Sequence, residues 1–171
     1  MLSLKIPQKV IISWNENSIK VEGPLGTLVK RKGVFNLAMK DSVLYLWTEN
    51  DLKKEAVYLA TIRNLIIGVT KGFNQKLRLV GVGFRAALVD NALMLKIGFS
   101  HEIKYIIPND IIILVSKSKG TVLIIKGKEN HKVHQVAREI RMLRLPDAYK
   151  GKGIHYKNET LTLKKGKRES K

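Results

Sequence analysis

The sequence contains no cysteine and few acidic residues, and these absences narrow the classes of protein that it can encode. Without cysteine, disulfides, thiolate chemistry and most structural zinc sites are excluded. No stretch is long and apolar enough to span a membrane. The segment Met1–Pro7 lacks the apolar core of a signal peptide and is not an arginine-rich presequence. We therefore expect the protein to work where it is made, or the sequence to be already processed.

Positive charge is what the sequence has in excess. The chain has 32 lysines and arginines against 14 acidic residues, a formal net charge of +18. Such a balance implies a polyanionic partner, and nucleic acid is the usual one, with an anionic membrane as the alternative. Residues 129–171 carry 12 basic and 5 acidic groups, the same net charge as residues 1–80 in about half the length. We expect the C-terminal quarter to be the main contact surface.

The first part of the chain reads as strands followed by one helix. Short β-branched and aromatic runs predict strands at 10–14, 18–22, 27–29 and 43–47, separated by turns rich in glycine, asparagine and aspartate. Asn50 or Asp51 is a candidate helix N-cap, and Gly68 and then Gly72 end the helix. Its predicted apolar face contains Leu52, Ala56, Leu59, Ile62, Leu65 and Ile66.

The pattern then recurs. Strands are predicted at 77–80, 84–89, 93–97, 103–107, 111–115 and 122–125, with a hairpin turn at Asp90-Asn91. Asn130 caps a second helix, and Pro146 stops it. The apolar face of this helix contains Val133, Ala137, Ile140 and Leu143.

Two sequence matches indicate a duplication. Residues 10–23 match residues 111–127, and Ile62-Arg63-Asn64-Leu65 matches Ile140-Arg141-Met142-Leu143. We predict an α+β fold of two tandem duplicated domains, 1–80 and 81–171, each a small, mainly antiparallel sheet with a helix packed on one face.

A stretch of alternating lysine and glycine follows the second helix, and it is flanked by Tyr149 and Tyr156. Glycine lets the backbone approach a ligand closely, lysine supplies a mobile point charge, and tyrosine offers a flat face for a base. A basic stripe on the helix leads into this stretch, formed by His134, Arg138, Arg141 and Arg144. The alternatives are a solvated helix face and a solvated turn before a flexible tail.

Several other patterns suggest chemistry but fit simpler explanations. Gly81–Ala86 matches a loose dinucleotide-binding pattern, but a strand and a hairpin turn follow it where that pattern needs a helix. Asp90, Glu102 and Lys104 could belong to a Mg²⁺-dependent nuclease, although Asp90 is more simply a turn residue. His131 and His134 lack further metal ligands. We expect no catalytic residue, cofactor or metal site, and no enzyme activity.

The segment Pro146–Ile154 resembles the signature of the universal large-subunit ribosomal protein six family in its bacterial form. Four further segments are similar to that family in the same order, namely Lys5–Val10, Gly68–Phe73, Leu77–Ala86 and Gly98–His101. Two departures stand out. Asp147-Ala148 replaces the family's more usual Glu-Pro, which we expect to make the turn less rigid. His155 stands where arginine is common.

The resemblance implies a structural constituent of the large ribosomal subunit that binds ribosomal RNA near the sarcin–ricin loop and the factor-binding region, in support of translation. The implied partners are large-subunit ribosomal RNA, neighbouring ribosomal proteins and nearby translation factors, with no membrane and no homo-oligomer. The residues expected to contact RNA are Tyr149, Lys150, Gly151, Lys152, Gly153, Ile154, His155, Tyr156, Lys157, Arg138, Arg141, Arg144, Lys164, Lys165, Lys167 and Arg168.

Two further hypotheses concern the setting of the protein. A free-standing RNA chaperone or regulator is the alternative within the RNA-binding class. Lysine outnumbers arginine 24 to 8, a bias typical of an AT-rich genome. We therefore expect an organellar ribosome, mitochondrial rather than plastid, with a bacterial cytoplasmic ribosome as the other possibility.

Overall fold

A computed structural model describes residues 2–48, 52–116 and 120–165. They form two compact units. The N-terminal unit comprises the residues up to Phe73 with Lys128–Asn130, and the C-terminal unit comprises Asn74–Gly127 with the residues from His131 onward. The division therefore comes earlier than the predicted limit at residue 80. The reason is that the strand beginning at Phe73 belongs to a C-terminal sheet.

Six strands and one helix build the N-terminal unit. The first sheet has the order β1-β6-β5 and the second the order β2-β3-β4, and all described pairs are antiparallel. The elements are β1 (Leu2–Lys5), β2 (Ile11–Trp14), β3 (Ser18–Gly23), β4 (Gly26–Arg31), β5 (Asn36–Lys40), β6 (Val43–Trp47) and α1 (Leu52–Thr70).

The core of this unit lies between the sheets and α1. Val21, Leu44, Leu46 and Val69 are fully buried. On α1, Ile62, Leu65 and Ile66 are buried as predicted, but Ala56 is exposed and Glu55 lies inside instead. One Glu55 oxygen accepts a hydrogen bond from the backbone N–H of Thr48, which satisfies a polar group that would otherwise be costly to bury. The candidate caps Asn50 and Asp51 lie outside the described residues.

The C-terminal unit repeats this architecture and adds a strand. Its sheets have the orders β10-β9-β8 and β11-β12-β7-β13. The elements are β7 (Phe73–Val80), β8 (Arg85–Val89), β9 (Ala92–Lys96), β10 (Ile103–Ile106), β11 (Ile111–Val115), β12 (Val122–Gly127), α2 (Asn130–Leu143) and β13 (Gly153–Tyr156).

The α+β fold with repeated sheets and a helix in each half is confirmed. The strand order shows which elements are equivalent. In the first half β6 lies between β1 and β5, and in the second half β12 lies between β7 and β11. The meander β2-β3-β4 likewise corresponds to β8-β9-β10. The predicted match of residues 10–23 with 111–127 was therefore wrong, because β11 and β12 occupy the places of β5 and β6.

That mismatch has a physical origin. Both segments are half-buried hairpin strands, and short runs of β-branched residues look alike wherever a strand has one buried face. The predicted match between the two helices agrees with the strand order, because α1 and α2 follow equivalent strands. Neither helix among the described residues is long and apolar enough to cross a membrane.

The hairpin between β5 and β6 carries backbone strain. Asp41 and Ser42 have φ values of 51° and 63°, a left-handed conformation that non-glycine residues rarely adopt. We expect Ser42→Gly to raise the free energy of unfolding by about 1 kcal/mol, because a non-glycine residue in this region costs roughly 1–2 kcal/mol. Chemical denaturation would measure the change.

Ser3→Gly is the matched control. Ser3 lies in β1 of the same sheet, and its position pairs with Tyr45 in regular strand geometry. Glycine in a strand lowers stability by about 0.5–1 kcal/mol relative to a residue with a side chain. Equal destabilisation by both substitutions would contradict the strain at Ser42.

Candidate RNA interface

The basic stripe predicted on α2 divides into residues with different surroundings. The buried face of the helix is formed by Val133, Val136, Ala137 and Ile140. Arg138 is exposed, whereas Arg141 and Arg144 are partly buried. Three arginines at helical spacing therefore do not make one continuous cationic surface.

Arg141 is held inside the C-terminal unit. Its guanidinium Nη2 lies 2.6 Å from Oε1 of Glu159, and the guanidinium carbon lies 5.2 Å from the centroid of the Tyr156 ring. Its Nε is buried and has no hydrogen-bond partner within the described residues. An arginine whose charge is paired and stacked in this way stabilises the fold, and its contact with RNA stays a prediction.

Glu159 completes this arrangement from the other side. Its second carboxylate oxygen accepts a hydrogen bond from the Tyr156 N–H at 3.1 Å, and its own N–H donates to the Tyr156 carbonyl. Partial burial tends to raise the pKa of Glu159, but the hydrogen bonds and the charge of Arg141 outweigh it, and the pKa lies below its usual value. The carboxylate therefore stays ionised and fixes the turn that follows β13.

The loop between α2 and β13 is held by its own backbone. Asp147 donates its N–H to the Lys152 carbonyl at 2.9 Å, and its carbonyl accepts the Gly151 N–H at 3.0 Å. The Asp147 carboxylate accepts the Lys150 N–H at 2.9 Å, which lowers the pKa of that carboxyl. The side chain of Asp147 thus restrains the backbone of a turn in which Ala148, rather than a proline, follows it.

Three of the residues expected to contact RNA are buried parts of this scaffold. Ile154 is fully buried and pairs with Leu79 of β7. Gly153 has a φ of 151°, and a Cβ there would lie 2.7 Å from the Leu145 carbonyl oxygen. Gly151 is buried as well. These residues shape the loop, and the Ile154 side chain has no accessible surface with which to meet a ligand.

His155 and Tyr156 also make contacts inside the unit. The Nε2 of His155 donates a hydrogen bond to the Gly151 carbonyl at 2.7 Å. Tyr156 supplies the ring against which Arg141 lies. Both side chains remain partly exposed.

The remaining candidates form an exposed group that we call the loop surface, consisting of Tyr149, Lys150, Lys152, Lys164 and Lys165. All five are exposed. The Lys164 N–H donates to the Ala148 carbonyl at 2.9 Å, so the tail returns to the loop. Lys157 is exposed at the opposite end of β13, beside β7. Lys167 and Arg168 lie outside the described residues.

Arg144 of the predicted site lies against two aromatic residues, Phe99 and His101, that were absent from that site. The Arg144 guanidinium carbon lies 5.0 Å from the centroid of the Phe99 ring, and Phe99 stacks with His101 at 6.3 Å. Phe99 is 39% exposed. The motif Gly98–His101 was the available signal, but sequence alone could not show that it lies against Arg144.

The strand register argues against the nuclease alternative. Ile106 pairs with Ala92 next to the Asp90 turn, whereas Glu102 precedes Ile103 at the other end of β10. Four residues of extended strand separate the backbone of Glu102 from that of Ile106 by about 13 Å, and both Asp90 and Glu102 border one open cavity. Across the parts of the chain that the structure describes, no group of three or more acidic, histidine or cysteine residues could hold a metal ion.

We expect Glu159→Gln to lower the free energy of unfolding at neutral pH by about 1–3 kcal/mol, because it leaves a partly buried arginine without its counter-charge. Since the pKa of Glu159 is lowered by folding, its contribution is complete above the unfolded glutamate pKa of about 4.3 and is lost as pH falls through the folded value. Denaturation at several pH values would show the variant converging with the parent protein in acid.

The control for this substitution is Glu102→Gln, which removes the same charge from an exposed side chain. It should change stability by less than about 0.5 kcal/mol. A similar loss of stability in both variants would show that net charge, rather than the Arg141 pair, is responsible.

Comparison with known proteins places this architecture in a family. Residues 80–157, which include the loop and β13, match the family model described as Ribosomal protein L6. The chain is 42% identical to the large ribosomal subunit protein uL6m of Reclinomonas americana, over 97% of this chain and 96% of that protein. It is 38% identical to uL6 of Variovorax paradoxus (98% and 97%) and 37% identical to uL6 of Mycoplasmoides gallisepticum (96% and 92%). At this identity over nearly its whole length, the chain belongs to the ribosomal protein L6 family.

Proposed function

We propose that this protein is a structural component of the large ribosomal subunit and that its loop surface binds ribosomal RNA. The L6 family is structural rather than enzymatic, and this chain is accordingly not an enzyme. The relatives are named as large ribosomal subunit proteins. The loop geometry supports the finer part of the proposal.

The observation that carries the proposal is a rigid loop with exposed lysines. Backbone hydrogen bonds hold the turn at both ends, while Lys150 and Lys152 extend from it into solvent. Lysine is a compact and mobile cation that suits phosphate contacts. A preorganised backbone lowers the entropy lost on binding, and each phosphate contact gains entropy from released counterions.

Tyr149 adds a second type of contact. It lies directly before Lys150 and is 59% exposed, although it is a large aromatic residue. Exposed aromatic rings among cations provide stacking surfaces for unpaired bases. We infer that the loop surface follows the RNA backbone with its lysines and contacts a base or ribose through Tyr149.

The position within the ribosome is a further part of the proposal. The family resemblance supports a site near the sarcin–ricin loop and the factor-binding region, with neighbouring ribosomal proteins and translation factors close by. The lysine bias and the similarity to the mitochondrial-type uL6m of Reclinomonas americana support a mitochondrial ribosome. Bacterial relatives at similar identity make a bacterial ribosome the alternative.

We expect Lys150→Glu/Lys152→Glu to weaken binding to large-subunit RNA without unfolding the protein, because both side chains are exposed. Each phosphate contact that is lost should reduce the slope of log affinity against log salt by about 0.7–0.9, so the loss of both should reduce it by roughly 1.4–1.8. Filter binding across a salt series would measure both quantities. Lys9→Glu/Lys40→Glu is the matched control, with the same charge change at exposed positions of the N-terminal unit.

Assembly provides the second test. A native lysate washed with high salt and separated on a sucrose gradient should contain the protein in the large-subunit fraction, while the double-glutamate variant should be depleted there. Release of the parent protein to the top of the gradient would favour the free-standing RNA chaperone instead. Normal incorporation of the double variant would contradict the assignment of the loop surface.

A further inference from the structure

A polar cavity lies at the end of β13 opposite the loop surface. It has a volume of about 290 Å³ and is lined by Asn74, Gln75 and Lys76 of β7 together with Tyr156, Lys157 and Asn158. The lining is mostly polar. A site for an apolar side chain or a lipid tail would be mostly hydrophobic, so this cavity suits a small polar ligand.

Three residues that carry side-chain amides, Asn74, Gln75 and Asn158, line this cavity. The amides of Asn74, Gln75 and Asn158 make no hydrogen bond to any other group in the described part of the chain. Each amide presents two N–H donors and a carbonyl acceptor. A ligand that fills the cavity can therefore be held by several donors and acceptors at once, which is the pattern on the edges of nucleobases.

Two cations stand beside the amides. The Lys157 N–H donates to the Lys76 carbonyl at 2.9 Å, which fixes the two lysines on neighbouring segments. Neither has a salt-bridge partner in the described residues. Amides next to unpaired ammonium groups match a ligand that carries both a base edge and a phosphate.

The cavity is built before any ligand arrives. Asn158 lies within the turn that Tyr156 and Glu159 close by backbone and side-chain hydrogen bonds. The ion pair between Glu159 and Arg141 ties that turn to α2. Because the amide of Asn158 starts from a fixed backbone, little conformational entropy is lost on binding.

We propose that this cavity binds one unpaired ribonucleotide, with its base edge on the amides of Asn74 and Asn158 and its phosphate on Lys76 and Lys157. The proposal rests on the RNA-binding function proposed above and adds base recognition to it. The volume of about 290 Å³ lies just below the range of about 300–1,000 Å³ for small-molecule pockets, which fits one nucleotide rather than a duplex. Single-stranded bases are the part of RNA that proteins read through hydrogen bonds.

The test separates base recognition from phosphate attraction. The intact protein is titrated with short homopolymeric oligoribonucleotides of each base and with an abasic oligomer of the same length. We expect one base to bind about tenfold more tightly than the abasic oligomer, because a bidentate amide–base pair discriminates by about 1–3 kcal/mol. Asn74→Ala/Asn158→Ala should remove this preference while leaving the salt dependence unchanged.

Two controls accompany this titration. Asn36→Ala/Asn109→Ala deletes two exposed amides elsewhere and should keep the preference. Lys150→Glu/Lys152→Glu should reduce the salt dependence but retain the preference among bases. The loop surface and the nucleotide cavity can therefore be tested separately. Normal incorporation of the lysine variant into subunits would contradict RNA binding by the loop surface but not nucleotide binding by the cavity.

Three results would overturn the nucleotide site. The first is equal affinity of the parent protein for the abasic and the base-containing oligomers. The second is an unchanged base preference in Asn74→Ala/Asn158→Ala. The third is that the parent protein binds none of the oligomers, regardless of whether the lysine variant is incorporated into subunits.

Discussion

The pairing of β13 with β7 is the constraint on which the C-terminal surface depends. Ile154 enters the core opposite Leu79, and its N–H donates to the carbonyl of Arg144 at the end of α2. These two contacts bring the chain back to the sheet after the helix. The loop between them must then close tightly, which explains a glycine at position 153, where a Cβ would meet the Leu145 carbonyl. A strand whose first two residues are buried thus determines where the exposed lysines lie.

Arginine and lysine have different tasks in this unit. Arg141 is the inner residue, where a planar guanidinium can pair with Glu159 and lie against the Tyr156 ring at the same time. The lysines of the loop surface are exposed to solvent, because burying their strongly hydrated ammonium groups would cost desolvation free energy. The number of basic residues in a segment therefore overestimates the positive charge at its surface, because some of these residues are paired with acidic groups inside the fold.

The two halves share a topology but differ at the functional end. Each half has a central strand flanked by the first strand and by its hairpin partner, followed by a helix. Only the C-terminal half continues, among the described residues, into an added strand and a returning tail. The added strand occupies the second edge of β7, and the loop surface and the polar cavity lie at its two ends. We infer that β13 and the tail that follows it provide the C-terminal unit with its surfaces for contacting RNA.

The sequence by itself determined the fold class, both helices, most strands and the location of the basic segment. These features depend on local spacing of apolar residues, turn residues and charge, all of which are readable along the chain. Tertiary structure decided what each basic or aromatic residue does. Arg141 and Glu159 are 18 residues apart, and Asn74 and Asn158 line one cavity only because β7 and β13 pair. Burial and pairing over such separations depend on the packed chain as a whole, so an arginine in a basic stripe and an arginine in an ion pair look the same in sequence.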